Sequence, residues 1–324
     1  MITLGLRDCF EVGLASVAYD TGRPPALLTG CHAQIVVPRP GGSPLVFASL
    51  IGSGPSHVLI DFSQDGAPAA PAFDGQYMQG FCSFEGGILA FDDTGHVAYH
   101  EAGQRPRRIV VDNPFEPARR LLPAYRLIAE GGRVAVPLRD GVDAALAVLN
   151  VGLHDGHAQW IAFGDGPISL VLDPPDFPAN FGKSVYFERA IIRNGEIIVH
   201  SQGQFGQPRT GYRFAVVARI GTCGGVTKRI FWQDYNEFQD EKKRGFIGEF
   251  TQSRDYFIAK GCYRSTDIWK GKTVAIELET GEAVPFKLPK GHTDVRIIDH
   301  IDGQWWGTRT GPDGAMQVMV FDAV

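Results

Sequence analysis

A chain of 324 residues and 35.3 kDa has room for one large domain or two small ones with an ample core. At 44% hydrophobic it is too apolar for a disordered chain, and 40 glycines with 21 prolines would break a helical bundle repeatedly. A net charge of −5 and a pI of about 6.0 remove any bulk attraction to nucleic acid or anionic lipid.

In chain order, Met1–Asp8 lacks the basic start, long apolar core and small-residue cleavage site of a signal peptide. No apolar run reaches the roughly 18–20 residues of a membrane span. Cys9, Cys31, Cys82, Cys223 and Cys262 are odd in number and scattered, with no CxxC pair. This predicts reduced thiols and a cytoplasmic protein, without a disulfide framework or zinc cluster.

Short strand-like runs come next: Gln34–Pro38, Ile88–Phe91, Arg133–Leu138, Glu196–His200 and Tyr256–Ala259, each rich in Val, Ile or aromatics and each leading into a turn cluster. Convincing helical periodicity is missing, apart from a weak stretch at Glu116–Leu122 between prolines. A tight turn precedes each run: Cys31-His32-Ala33, Glu85-Gly86-Gly87, Glu130-Gly131-Gly132, Arg193-Asn194-Gly195 and Ser253-Arg254-Asp255, with Ile301-Asp302-Gly303 after them. Successive turns lie 45 to 63 residues apart, which divides the chain into six units. A second marker is a strand-like run ending in Asp: Val17–Asp20, Val58–Asp61, Ile109–Asp112, Leu170–Asp173 and Ile230–Asp234. These predict the fourth, outer strand of successive units, with Val284–Leu288 in that place in the fifth.

Units of four strands repeating at this scale resemble the blades of β-propeller repeat proteins, a likeness of architecture that covers nearly the whole chain. The Gly-His and Trp-Asp markers of WD40 blades, the ordered Tyr and Trp of kelch repeats and the Asp-box of sialidases are all missing. The expected fold is therefore all-β: one domain, 1–324, a six-bladed β-propeller. A seventh blade fits only if residues 160–185 or 201–212 hold further strands. Because the first outer-strand marker precedes the first complete unit and the chain ends on an unpartnered third strand, Met316–Phe321, an N-terminal outer strand is expected to pair with the C-terminal blade and close the ring.

Label the strands of a blade A to D from the channel outward. The A–B turns are minimal, whereas the D–A connections are long: Ser63–Gln76, Asn113–Ala124, Pro174–Ser184 and Tyr235–Gly248. Long loops on a rigid scaffold are where recognition concentrates. They carry Phe73, Phe115, Phe177, Phe181, Tyr235 and Phe238, several beside acids, as partner anchors or as caps on their own blades. Arg39, Arg139, Arg209, Arg264 and Arg309 fall in or beside B–C hairpins at the same end. Together they form an anion-binding ring, or else pair individually with D–A loop acids. The strand-end aspartates Asp61, Asp112, Asp173 and Asp234 read as caps of the turns they lead into.

His154 and His157 flank an ordinary Asp-Gly turn, and Arg105–Arg108 and Glu241–Arg244 are small basic runs in an acidic chain. Neither points to a metal or to nucleic acid. No phosphate-binding or nucleophile motif is present. The expected function is a non-catalytic protein-binding scaffold (an adaptor, inhibitor or immunity-type protein) with a protein partner, no nucleic acid, no membrane and no cofactor. The alternative is a metal-dependent hydrolase, similar to the six-bladed sugar-lactonase type. It would hold Ca or Mg in the channel mouth on Glu188, Glu249, Asn113, Asn180 and Asn236, with a small-molecule ligand in the channel.

Overall fold

The computed structural model describes residues 1–22, 28–39, 42–52, 57–67, 69–71, 78–84, 86–92, 97–100, 107–112, 119–121, 128–140, 143–154, 157–163, 168–169, 185–205, 212–220, 226–236, 250–260, 273–311 and 313–324. Among them the chain is almost wholly strand. It opens with β1 (Ile2–Val12) and the single described helix, α1 (Leu14–Asp20).

Antiparallel meanders succeed one another along the chain. The first is β2 (Leu28–Val37), β3 (Leu45–Gly52), β4 (His57–Asp61) and β5 (Ala69–Pro71). The second is β6 (Met78–Phe84), β7 (Gly87–Asp92), β8 (Val97–His100) and β9 (Arg107–Asp112). The third is centred on β12 (Arg133–Asp140) and β13 (Asp143–His154). On its flanks, β10 (Arg119–Leu121) and β11 (Ala129–Glu130) both pair with β12, while β14 (His157–Phe163) and β15 (Ile168–Ser169) both pair with β13. The fourth runs β16 (Val185–Arg193), β17 (Glu196–Phe205), β18 (Tyr212–Ile220) and β19 (Val226–Asn236). The fifth runs β20 (Phe250–Gln252), β21 (Tyr256–Lys260), β22 (Thr273–Glu277) and β23 (Ala283–Lys287). Last come β24 (Arg296–Ile301), β25 (Gln304–Thr310) and β26 (Met316–Ala323).

The free edge of β26 is taken by β1, antiparallel from Leu4 opposite Ala323 to Val12 opposite Met316. Two short parallel seams join neighbouring meanders edge to edge: β9 with β14, and β1 with β23 through Ile2 and Thr3. The sheets thus make a nearly closed, propeller-like array.

Local chemistry explains the tight hairpins. Between β16 and β17 only Asn194 and Gly195 turn the chain, at φ 53° and 77°; between β24 and β25, Asp302 and Gly303 do so at φ 51° and 78°. Two consecutive left-handed residues are what a primed hairpin turn needs, and Asn-Gly and Asp-Gly tolerate them best. Gly87 serves a different purpose. A Cβ there would meet the carbonyl of His100 and the ring of Tyr99, so only glycine lets β7 approach β8 this closely.

The core lies between sheets rather than inside any one of them. Ile35, Val37 and Phe47 pack on Phe81, Ile88 and Ala90 between the first two meanders. Ile191 and Ile198 meet Phe257, Val274 and Ile276 between the fourth and fifth. Ile258, Ala275 and Phe286 meet Ile297, Trp305 and Phe321 between the fifth and the last. Val36, Val46 and Ile60 meet Trp306, Met316 and Val318, which brings the end of the chain against its beginning. Face-to-face burial of β-branched and aromatic side chains is the main stabilising term of such an array.

Three expectations need correction. Val17–Asp20 is not an outer strand: Leu14, Val17 and Ala18 share one helical face, and α1 buries Val17 and Ala18 against the first sheet. The edge of the final sheet is instead filled by the preceding residues, Ile2–Val12. Cys31-His32-Ala33 is not a turn but the middle of β2, where an irregularity between Ala33 and Ile35 replaces it. Finally, β4 is not outermost, because β5 pairs along it from Ile60 to Val58. Among the described residues, no helix is long and apolar enough to cross a membrane.

Candidate functional site

In an antiparallel meander, alternate hairpins point to opposite ends. At one end the turns are short and braced to one another by charge. The Glu130 carboxylate accepts from the Gly195 backbone N–H at 2.9 Å and from Arg254 Nη2 at 2.7 Å. Burial pushes Glu130 up, but these donors, with the Asn194 N–H, hold it below the usual carboxylate range. Arg193 donates to Asp255 at 3.3 Å and to Glu279 at 2.8 Å. His300 sits 3.9 Å from the Asp255 carboxylate, with its ring against Tyr256 and Trp305. These contacts link the third, fourth, fifth and last sheets, and they tie this end up in internal pairs.

Toward the opposite end the strand bounds leave longer stretches of sequence, 113–118, 170–184, 237–249 and 288–295 between sheets and 206–211 and 261–272 within them; of these, 288–295 lies among the described residues. Two of the arginines from the sequence pattern are described here with their partners. Arg39 Nη1 donates to both Asp61 oxygens at 3.0 Å and to Ser63 Oγ at 3.2 Å. Asp61 also accepts from the Ser63 backbone N–H at 3.0 Å and from Gln64 Nε2 at 3.0 Å, so it caps the turn it precedes. Burial pushes its carboxyl up, but the bonds from Ser63 and Arg39 outweigh that and hold it low. Arg309 donates to Gln317 Oε1 at 2.6 Å, to the Gly291 carbonyl at 2.9 Å and to Asp294 at 3.3 Å. Gln317 donates in turn to Glu11. Both guanidiniums therefore engage internal acids, and Asp294 lies in a connection between sheets.

Arg139 lies at the end of β12, in the hairpin to β13, as the sequence pattern requires. Glu188 occupies an irregularity in β16, where the pairing with β17 skips from Phe187 to Arg189. Tyr235 and Asn236 end β19. Phe73, Phe115, Phe177, Phe181, Phe238, Arg209, Arg264, Asn113, Asn180 and Glu249 lie outside the described residues. Among the described residues, no three His, Cys, Asp or Glu side chains are grouped to hold a metal ion.

Residue patterning alone does not reveal one feature at this end. A shallow cleft of about 450 Å³ lies between α1 and the β4–β5 connection, lined by Ala15, Ser16, Tyr19, Asp20, Asp65 and Gly66. Tyr19 projects from α1 with 85% of its surface exposed. The i, i+3, i+4 spacing of Leu14, Val17 and Ala18 was the available signal. Counted together they put Tyr19 on the outer face of a helix, which the strand reading of Val17–Asp20 misses.

No protein-family model matches the sequence, and no curated protein matches it. Solved structures to which the chain is similar include the following two. One is BamB from Moraxella catarrhalis, at 10% identity over 98% of this chain and 99% of that one, with a TM-score of 0.38. The other belongs to an S. cerevisiae assembly of a Dbp5 variant bound to Nup159, a Gle1 variant, IP6 and ADP. It is 8% identical over 90% of this chain and 76% of that one, with a TM-score of 0.39.

Proposed function

We infer that the chain is a six-bladed β-propeller, closed by β1, that acts as a non-catalytic protein-binding scaffold: an adaptor, an inhibitor or an immunity-type protein. The observation that carries this reading is the contrast between the two ends. Short turns braced by Glu130, Arg193, Arg254 and Asp255 make one end a rigid base. Toward the other end the strand bounds leave the longer stretches of sequence. A rigid sheet scaffold that presents long segments together is the arrangement that recognition surfaces use.

Arg39 and Arg309 are the members of the arginine set whose side-chain partners are described, and their engagement with Asp61 and Asp294 gives them a bracing role there. Partner contact on this reading falls to Arg139, Arg209 and Arg264 and to the aromatic residues Phe73, Phe115, Phe177, Phe181, Tyr235 and Phe238. Affinity capture on the tagged protein, washed at low and at moderate salt, tests it. One stoichiometric protein partner surviving moderate salt is expected. Capture of nothing, together with one equivalent of bound Ca or Mg by elemental analysis, would move the function to the hydrolase reading on Glu188, Glu249, Asn113, Asn180 and Asn236.

A further inference from the structure

Asn194-Gly195 is the one Asn-Gly step in the sequence, and it forms the whole turn between β16 and β17, closed by the pairing of Arg193 with Glu196. Both residues are exposed, so water and hydroxide reach the turn. Asparagine followed by glycine is chemically labile, because glycine has no Cβ to shield its nitrogen from the asparagine side chain. In the reaction the Gly195 nitrogen gives up its proton and bonds to Cγ of Asn194. The Cγ–Nδ2 bond breaks, and the amide group takes up a proton and leaves as ammonia. Water then opens the cyclic imide, at Cγ to give aspartate or at the main-chain carbonyl to give isoaspartate.

The atom that must attack is one that the structure holds. Gly195 N–H donates to Glu130 Oε2 at 2.9 Å, and Asn194 N–H donates to the same carboxylate. Arg254 Nη2, 2.7 Å from Glu130 Oε1, fixes that carboxylate from the fifth sheet. The carboxylate accepts the Gly195 N–H and repels the anion that its loss would create, so the nitrogen keeps its proton. The bond also anchors the turn, whose peptide must rotate to bring the nitrogen to Cγ.

We propose that Asn194 is a deamidation site gated by Glu130: the amide survives while the brace between the third and fourth sheets is closed, and is converted irreversibly when the brace opens. The product keeps the brace from closing again. Isoaspartate adds a methylene to the main chain of a turn that only two residues make, and either product sets a new carboxylate beside Glu130. The short-turn end thus carries a chemical record of its own opening, whatever binds the other end.

The test is incubation of the full chain at neutral pH and constant temperature, with conversion of Asn194 followed by peptide mass spectrometry. Wild type should convert at least tenfold more slowly than the same chain in urea. Glu130→Ala should convert at least fivefold faster than wild type. Glu130→Gln, which keeps an acceptor oxygen without the charge, should fall between them. Thermal melts before incubation confirm that each variant is folded. Equal rates in wild type and both Glu130 variants would overturn the proposal, as would a wild type that converts as fast as the denatured chain. Converted wild type, separated by its added negative charge, should melt below the unconverted protein, and an unchanged Tm would overturn the claim that conversion holds the brace open.

Discussion

Arg39 and Asp61 meet through a single guanidinium nitrogen that donates to both carboxylate oxygens at 3.0 Å, in a site where Asp61 is only 6% exposed. The pair ties the β2–β3 hairpin to the exit of β4, while Ser63 and Gln64 complete the shell around the acid. Asp61→Ala leaves the guanidinium and the Ser63 N–H without their acceptor. That should cost about 2–4 kcal/mol, because removing one partner of a nearly buried pair strands the other. Chemical denaturation of this variant against wild type measures the loss. A change under about 0.5 kcal/mol would show that water replaces the carboxylate at no cost.

Acid should weaken the fold in a defined window. Burial lowers His57 and His100 to about 4, well below the ordinary imidazole value of 6.5. The unfolded chain therefore binds more protons than the folded one between pH 6.5 and 4, and stability falls as pH drops through that window. Asp61 acts in the same sense further down. Its folded value lies below the ordinary 3.8, so its contribution is present above 3.8 and is lost as pH falls through the folded value. Thermal melts at pH 7.5, 6, 5 and 4 should show a descending Tm, and His100→Gln should flatten the descent between 6 and 4. A flat profile for the wild type contradicts this.

Gly87→Ala should destabilise the second sheet by about 2–4 kcal/mol, since the new methyl collides with the His100 carbonyl and the Tyr99 ring rather than with a movable side-chain tip. Gly86→Ala, next to it, tests a different cost. Gly86 has φ 76° with open space around it, so its penalty is conformational and should stay near 1 kcal/mol. Urea denaturation of both variants separates the two causes, and equal losses would remove the steric account.

β1 supplies the outer edge of the last sheet, and Glu11 bonds Gln317, which in turn bonds Arg309 across adjacent strands. Removing residues 1–12 uncovers the edge of β26 together with Met319 and Phe321 at its inter-sheet face. The truncated chain should aggregate or lose cooperative melting, as light scattering during a thermal ramp would report. A soluble truncation that melts like wild type would make β1 an appendage rather than a clasp.

Much of this architecture was legible because glycine and hydrophobic alternation are local signals. Asn194-Gly195 and Asp302-Gly303 mark their hairpins by residue type alone, and Asp61 declares itself as a turn cap through the neighbouring Ser63 and Gln64. Two kinds of feature were not legible in this way. Val17–Asp20 reads as a strand until Leu14 is counted with Val17 and Ala18, since a seven-residue helix offers barely two turns of periodicity. The partners of Arg39 and Arg309 are a matter of distance: Arg309 reaches Asp294, Gly291 and Gln317, and nothing in the local sequence distinguishes an arginine engaged in this way from one that faces solvent. The brace that joins Glu130 to Arg254 spans 124 residues and depends on sheet packing.

The most direct test of the scaffold reading compares three proteins in the same capture experiment: wild type, Arg139→Glu with Arg264→Glu, and Glu282→Lys as the short-turn-end control. Each is melted alongside to confirm folding. The account predicts that wild type and the control retain one stoichiometric protein partner. The double variant should lose it while melting within about 2 °C of wild type. Retention of the partner by the double variant, or its loss from the Glu282 variant alone, would contradict recognition by the long-connection end.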